Sequence, residues 1–439
     1  MVFDNIVGNP PFQDSVNRGK TQHKIWINFT INSFYNLLKD NGNLGWITPN
    51  SFSSPSNKVL NIFKDYNVKY LNLDTSQYFP GVGSTFSHYL INKSKSDELT
   101  KVQKNSKSFD IKLDSNSFYL PVDFSNKSYS IHQKVIFNTP LKLNVQKDYV
   151  TCHNILLKKS DTLSKIKTKK HIYPVFHTNN QVWYSSIEQD FLKSKKVMWT
   201  RSGYTKPFYD DGTMGCTDMG YYILVDNKKE GENLQHNLNS ALFKYILTTA
   251  KWSGFGNEKV FSSLPMLPND KKLSDSQIYE MFKITDDEIK YIESYGNKKI
   301  SKKKGMTKIV NSTQRVKQLG EVFTPKELVI KILSLIPKKE YIDNNTFLDP
   351  TCGDGAFLVE VVKMKMKYGI QIKHILNTLY GVDIMEDNVL RTKQRILHIV
   401  GDNKLNRDIL DKNILCKDGM IYDYSFGKAK GLEKYYEHI

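Results

Sequence analysis

Asn9-Pro10-Pro11-Phe12 follows five mostly apolar residues, Phe3 to Val7, and a glycine, Gly8. The apolar run reads as a short buried strand. Two consecutive prolines fix φ and remove two N–H donors, so the turn after that strand is stiff. A stiff turn just past the carboxyl end of a parallel strand is where α/β sheets hold ligands. The Asn9 side-chain oxygen and the Pro10 carbonyl are acceptors with no ladder to join, and Phe12 offers a flat apolar face. These groups suit the grip of an exocyclic amine such as that of adenine. Accepting both amine hydrogens favours a tetrahedral nitrogen whose lone pair can attack an electrophile, which is transition-state stabilisation by preorganised dipoles. The same four residues also make an ordinary proline-rich turn, and alone they leave both readings standing.

The second constellation lies far along the chain. Thr346 to Leu358 reads TFLDPTCGDGAFL. Phe347 and Leu348 end a strand that Asp349 closes, Gly353 and Gly355 allow a tight turn, and a helix follows from Ala356. Strand, glycine turn and helix form the nucleotide-cofactor arrangement of a Rossmann-like sheet, although the spacing is not GxGxxG. Leu379 to Ile384 is a second strand ending in an acid, Asp383, which can take both hydroxyls of a ribose. Asn413 to Gly419 is a third, ending in Asp418. Any one of these acids could be a plain loop residue. Three in order after a glycine turn make that reading poor.

These motifs resemble those of the S-adenosylmethionine-dependent DNA adenine-N6 methyltransferases of restriction–modification type. The NPPF form at Asn9 to Phe12 matches the family's motif IV, Asp349 to Gly355 its motif I, Asp383 motif II and Asp418 motif III. Gly320-Glu321-Val322-Phe323-Thr324-Pro325 matches motif X, and Phe79-Pro80-Gly81-Val82-Gly83 resembles motif VIII. The resemblance implies S-adenosylmethionine as cofactor, held by Phe323, Thr324, Asp349, Thr351, Gly353, Gly355, Asp383, Ile384 and Asp418. Within that set Thr324 touches the methionine end, Ile384 lies against the cofactor adenine and Asp418 accepts from its amine. It further implies that Asn9, Pro10, Pro11 and Phe12 are catalytic, that Phe12 and Phe79 sandwich a flipped adenine of double-stranded DNA, and that no metal is needed. Gly419 stands where many members carry a larger side chain. Phe79 also reads as a core plug beneath its loop.

The motif order is that of the beta group: NPPF, recognition region, then the cofactor half. The expected fold is therefore α/β, a Rossmann-like methyltransferase sheet assembled from both ends of the chain, with an inserted α+β target recognition domain. Residues 1–95 are the catalytic half, 96–297 the recognition domain, 298–317 a basic linker, and 318–439 the cofactor-binding half. The break falls between the third and fourth strands of the sheet, in a loop where permutation is tolerated.

The formal net charge of +18 suits a polyanionic partner, although a lysine-rich surface from compositional bias gives the same number. Basic, aromatic and glycine residues interleave from Arg201 to Tyr209 and again from Lys251 to Lys259. Arg201 and Lys206 are candidate DNA contacts, while Trp252 stays open between packing and contact. The four cysteines, Cys152, Cys216, Cys352 and Cys416, stand far apart and form no CxxC pair. There is no long apolar run or signal peptide, so a cytoplasmic location and no membrane association are expected. Apolar spacing predicts helices at Lys24–Lys39, Asn57–Tyr66 and Lys326–Ile336, with strands at Leu44–Thr48, Val68–Leu73 and Phe86–Ile91, the last antiparallel. No nuclease motif stands out, so a cognate restriction endonuclease would be a separate partner. The large basic region argues against the smaller glutamine methyltransferases that share NPPF-type motifs. RNA as substrate, and a non-catalytic DNA-binding descendant, are the remaining alternatives.

Overall fold

The computed structural model describes residues 1–12, 25–55, 57–80, 84–95, 98–148, 162–178, 181–200, 206–250, 258–297 and 323–427. Two compact units account for them. One comprises Met1–Phe52, Asn57–Ser115 and Lys304–Ile439, and the other Ser53–Ser56 and Asn116–Lys303.

The first unit is built on one nine-stranded sheet. Its strands in chain order are β1 (Phe3–Gly8), β2 (Leu38–Pro49), β3 (Asn67–Asn72), β4 (Phe86–Asn92), β5 (Thr100–Lys104), β6 (Lys107–Ile111), β7 (Phe347–Asp349), β8 (Leu379–Asp383) and β9 (Ile414–Cys416). The spatial order is β9-β8-β7-β1-β2-β4-β3-β5-β6. From β9 to β2 every pairing is parallel, and β4 is antiparallel to both neighbours. The central strand β1 is buried at every position except Asp4, as its near-continuous apolar run requires in a sheet covered on both faces.

Strands from the two ends of the chain meet at β1 and β7. Asn5 pairs with Phe347 and Ile6 with Leu348. Asp4 Oδ2 accepts from the Thr346 amide at 2.9 Å and from its hydroxyl at 2.8 Å, while Lys39 Nζ donates to Asp4 Oδ1 at 2.7 Å. An aromatic cluster closes the same seam. Phe426 packs edge-on against Phe3 (ring centroids 6.1 Å apart) and Tyr380 (4.9 Å).

Helices cover the sheet. In this unit α1 is Ile25–Asn32, α2 Val59–Asp65, α3 Lys326–Leu335, α4 Ala356–Lys367, α5 Glu386–Val400 and α6 Lys404–Asn413. Helix α3 buries Leu328, Val329, Ile332 and Leu333, a stripe at helical spacing. Helix α5 carries Glu386 and Asp387 in its first turn and His398 in its last, which suits the helix dipole, and Gly401 at φ +91° ends it.

Two expectations need correction. The stretch from 96 to 115, expected to open the second domain, instead supplies β5 and β6 and belongs to this unit. The helix expected to reach Lys39 ends at Leu37, after a π turn over Ser33–Leu37, because Leu38 already pairs with Phe3.

The second unit is α+β. A three-stranded antiparallel sheet places Lys195–Thr200 between Phe208–Asp211 and Gly220–Leu224. A four-stranded sheet orders Gly215–Cys216, Tyr173–Phe176, Val182–Ser185 and Leu163–Ser164. Its helices include Lys228–Leu238, Ala241–Thr249, Asp275–Met281 and Asp286–Asn297. Ser274 caps the third of these in a capping box with Gln277, and the Thr285 hydroxyl accepts from the Glu288 amide at 3.4 Å. Among the described residues no helix is long and apolar enough to cross a membrane.

Candidate active site

The site grows from the carboxyl ends of β1, β7, β8 and β9. Gly8 ends β1 opposite Trp46. A methyl group there would lie 2.8 Å from the Trp46 ring and 2.9 Å from Asp349 Oδ1, so only glycine lets the backbone pass between them. This contact places the turn that starts at Asn9 one residue beyond the Asp349 carboxylate. Asn9 is half-buried, and its Nδ2 donates to Thr324 Oγ1 at 3.1 Å. Pro10 is buried, and Pro11 and Phe12 are half-buried.

Phe12 lies against Phe86, with ring centroids 4.7 Å apart and planes tilted by 33°. Phe79 is 4% exposed and packs edge-on against the same ring at 5.1 Å. Phe79 therefore fills the core here and presents no open face, and Phe86 is the ring that both aromatics share. In the sequence Phe86 shows only as the first residue of a strand that follows soon after Phe79.

The glycine turn between β7 and α4 is held by its neighbours. The Thr351 amide donates to Asp349 Oδ1 at 3.0 Å, and the Cys352 amide to the Val382 carbonyl at 2.9 Å. Gly353 (φ +54°) donates from its amide to Asp383 Oδ2 at 2.9 Å. Gly355 (φ +84°) caps α4 and sits so close to Thr392 that a Cβ would lie 2.8 Å from it. Both glycines adopt the left-handed region that side chains disfavour. Asp383 Oδ1 accepts from the Met385 amide at 2.9 Å and from Asn388 Nδ2 at 3.3 Å. Ile384, next in the chain, is 64% exposed, and Phe323 is 49% exposed.

Asp418 is half-buried and accepts from the Met420 amide at 2.8 Å. At Gly419 a Cβ would meet the Pro350 carbonyl oxygen at 2.7 Å, the Phe29 ring at 3.0 Å and the Tyr424 hydroxyl at 3.1 Å. That crowding explains the missing side chain at this position. Tyr424, which donates to the Gly419 carbonyl at 2.7 Å, had no signal in the sequence as a neighbour of the site.

Burial pushes the Asp349 carboxyl well above the usual carboxylate range, with the nearby charges of Asp383 and Asp354 adding to the rise and the Thr351 amide opposing it. Acidic strand ends, a glycine turn and exposed apolar side chains at Ile384 and Phe323 make a surface of mixed character. A ligand with a positive charge, a pair of hydroxyls and a flat ring matches it, and S-adenosylmethionine has all three. Its fit rests on this donor set. Among the described residues no cluster of three or more metal-ligating side chains occurs.

Lys206 belongs to the second unit. It is exposed and lines a cleft of about 950 Å³ with Tyr209, Lys228, Gln235, Lys244 and Lys272. Arg201, Trp252, Gly81 to Gly83, Gly320 to Val322 and the basic linker 298–317 lie outside the described residues.

Residues 1–86 match the family model described as Eco57I restriction-modification methylase. Residues 307–425 match the one described as N-6 DNA Methylase. Both ends of the chain thus resemble adenine-N6 DNA methylases of restriction–modification type. No curated protein matches the chain. Among solved structures, it is similar to the Type IIL restriction-modification enzyme MmeI in complex with DNA, at 10% identity and a TM-score of 0.35, over 75% of this chain and 53% of that one. It is also similar to the type IIG restriction endonuclease BpuSI, at 12% identity and a TM-score of 0.24, over 62% of this chain and 45% of that one. The chain spans about half the length of these two proteins.

Proposed function

We propose that this chain is a DNA methyltransferase that carries a methyl group from S-adenosylmethionine to the N6 amine of an adenine turned out of duplex DNA. One observation carries the reading: the Asn9-Pro10-Pro11-Phe12 turn and the Asp349 glycine turn stand side by side at the ends of adjacent parallel strands, within contact distance across Gly8. The large sheet takes its strands from both ends of the chain, which agrees with a permuted, beta-like motif order. In this reading the second unit is the inserted target recognition domain, with Arg201 and Lys206 as its candidate contacts to DNA.

S-adenosylmethionine, when bound, supplies an already activated sulfonium methyl group. Asp349 and the turn through Thr351, Gly353 and Gly355 hold its methionine end, with Phe323 and Thr324 beside them. Asp383 takes the ribose hydroxyls, Ile384 lies against the adenine ring and Asp418 accepts from that ring's amine. An adenine stacked in a duplex cannot reach this pocket, so the base must flip. Asn9 Oδ1 and the Pro10 carbonyl accept hydrogen bonds from the two N–H groups of the target amine and direct its lone pair, one amine proton passes to water after the methyl group arrives, and Phe12 stacks on the base. The second stacking face assigned to Phe79 requires that ring to turn away from Phe86, where it now packs.

The test is transfer of label from S-adenosylmethionine to unmethylated duplex DNA, followed by nucleoside analysis. Label in N6-methyladenine is expected. Label in RNA or protein but not in DNA overturns the substrate. Asp383→Ala removes charge-assisted hydrogen bonds to the ribose and also releases the Gly353 amide. The Kd for S-adenosylmethionine measured by calorimetry is expected to rise about 10–100-fold. Unchanged affinity would remove Asp383 from the cofactor site.

A further inference from the structure

We propose that Thr324 is a positioning residue for Asn9: its hydroxyl accepts from the Asn9 amide nitrogen and thereby turns Asn9 Oδ1 toward the target amine. The proposal rests on the amine-methylation reading of the site. The hydrogen bond joins residues 315 positions apart in the chain, Nδ2 to Oγ1 at 3.1 Å.

The backbone alone cannot do this job. Pro10 and Pro11 stiffen the main chain after Asn9, and a residue before proline is restricted to extended conformations. The last torsion of an asparagine side chain, however, is a broad, roughly two-fold well. Rotating the amide by half a turn exchanges oxygen for nitrogen. The site would then present a donor to an amine that needs an acceptor. A threonine hydroxyl can accept from the NH₂ end, as it does here, but it could equally donate to Oδ1 of the flipped amide, so it fixes the direction when its own proton is given to another acceptor. In the proposed site that acceptor is the methionine end of bound S-adenosylmethionine, beside which Thr324 stands.

Thr324 is itself held firmly. It too precedes a proline, Pro325, which occupies the N-cap of α3. Helix α3 docks through Leu328, Val329, Ile332 and Leu333. The Ile332 Cγ2 methyl comes within 3.1 Å of where a Cβ on Gly45 would lie, on the strand beside β1. Both partners of the hydrogen bond therefore sit on stiff, proline-flanked backbone, one from each end of the chain. The catalytic turn is thus oriented from the cofactor half of the sequence, and the two halves cannot drift apart without losing the amide's direction.

The test uses the full chain and four variants: Thr324→Val, Thr324→Ser, Asn9→Asp, and Asn9→Asp combined with Thr324→Val. Thr324→Val keeps the side-chain shape and removes the hydroxyl. At saturating S-adenosylmethionine its kcat on unmethylated duplex DNA is expected to fall about 10–100-fold. Its Kd for S-adenosylmethionine, which Thr324 also touches in the proposed site, is expected to rise by less than kcat falls, and Thr324→Ser should recover most of kcat. In an Asn9→Asp background the two side-chain oxygens are equivalent, so there is no orientation to fix. Adding Thr324→Val there should lower kcat by less than about threefold.

Weakened donor binding with kcat unchanged overturns the proposal and makes Thr324 a contact of the donor alone. An equal loss in the Asn9 and Asn9→Asp backgrounds overturns it too, because the threonine then does not act through the amide. A wild-type chain that methylates no DNA overturns the underlying reading as well. An active wild type with an indifferent Thr324→Val overturns the proposal only.

Discussion

Replacing Asn9 by alanine is expected to lower kcat for methyl transfer about 10²–10³-fold, the scale seen when one preorganised transition-state partner is removed. The adenine amine is a poor nucleophile because its lone pair is delocalised into the ring. It becomes reactive as the nitrogen turns tetrahedral, and its two hydrogens then carry more positive charge. Acceptors fixed where those hydrogens will point interact more strongly with the transition state than with the bound base, which is what raises kcat rather than affinity. Asn9 Oδ1 and the Pro10 carbonyl are those acceptors in the proposed site. Alanine removes one of them and leaves the other on its rigid turn.

The folded state should feel the Asn9 change little. Asn9 is half-buried, and the Thr324 hydroxyl it releases is half-buried too, so water can replace the lost partner. Binding of S-adenosylmethionine, assigned in the proposed site to Asp349, Asp383 and Asp418, should stay within about threefold. The measurement is a single-turnover assay on duplex DNA beside calorimetry of the donor. Equal losses of turnover and donor affinity would remove Asn9 from the amine.

Much of the local structure around the candidate site could be read from the sequence because its parts are local. Phe3 to Val7 is a buried strand by composition alone, and the helix at Lys326–Leu335 follows from its apolar spacing. The glycines at 353 and 355 mark a turn, and both prove to have positive φ. Other features depend on tertiary contacts and leave no local trace. Gly419 was visible as a departure, but its reason is the Pro350 carbonyl and the Phe29 ring arriving from elsewhere. A phenylalanine at 79 has the same letter whether its ring faces a base or the core, and here it packs on Phe86. The polar run from 96 to 115 looked like an exit from the sheet. Its strands Thr100–Lys104 and Lys107–Ile111 alternate weakly and find their place by pairing at the sheet edge beside β3. The cluster of Tyr422, Tyr424 and Phe426 has positive φ at its last two members, and it is ordered by contact with Phe3 and Tyr380 from distant parts of the sequence.

The second large effect lies in the other unit, at a buried ion pair. Asp210→Ala is expected to destabilise the fold by about 3–5 kcal/mol, because it leaves a buried ammonium without its counter-charge. Lys196 and Asp210 are 0% and 2% exposed at their side chains and meet at 2.7 Å. Lys196 Nζ also donates to the carbonyls of Phe191, Leu192 and Ser194 at 3.1, 3.0 and 2.8 Å. Asp210 accepts in turn from the Thr213 amide and hydroxyl. The carbonyls solvate the ammonium but cannot neutralise it. Burial already holds the Lys196 ammonium below the usual lysine range, with Asp210 opposing that fall. Without Asp210 the folded-state value drops further, while the unfolded value stays near 10.4. Between the two values the unfolded chain binds more protons than the folded one, so stability rises with pH. The variant's deficit should therefore shrink as pH is raised from neutral toward 10, which urea denaturation at several pH values can follow. A deficit that is flat with pH would mean that lost packing, not the stranded charge, sets the loss. In the proposed reading the pair bears on recognition, because the strand it pins, Lys195–Thr200, precedes Arg201 in the sequence, and Asp210 itself lines the cleft that holds Lys206. Loosening this knot should blur sequence preference on DNA before it touches methyl transfer, since every residue assigned to the chemistry lies in the other unit.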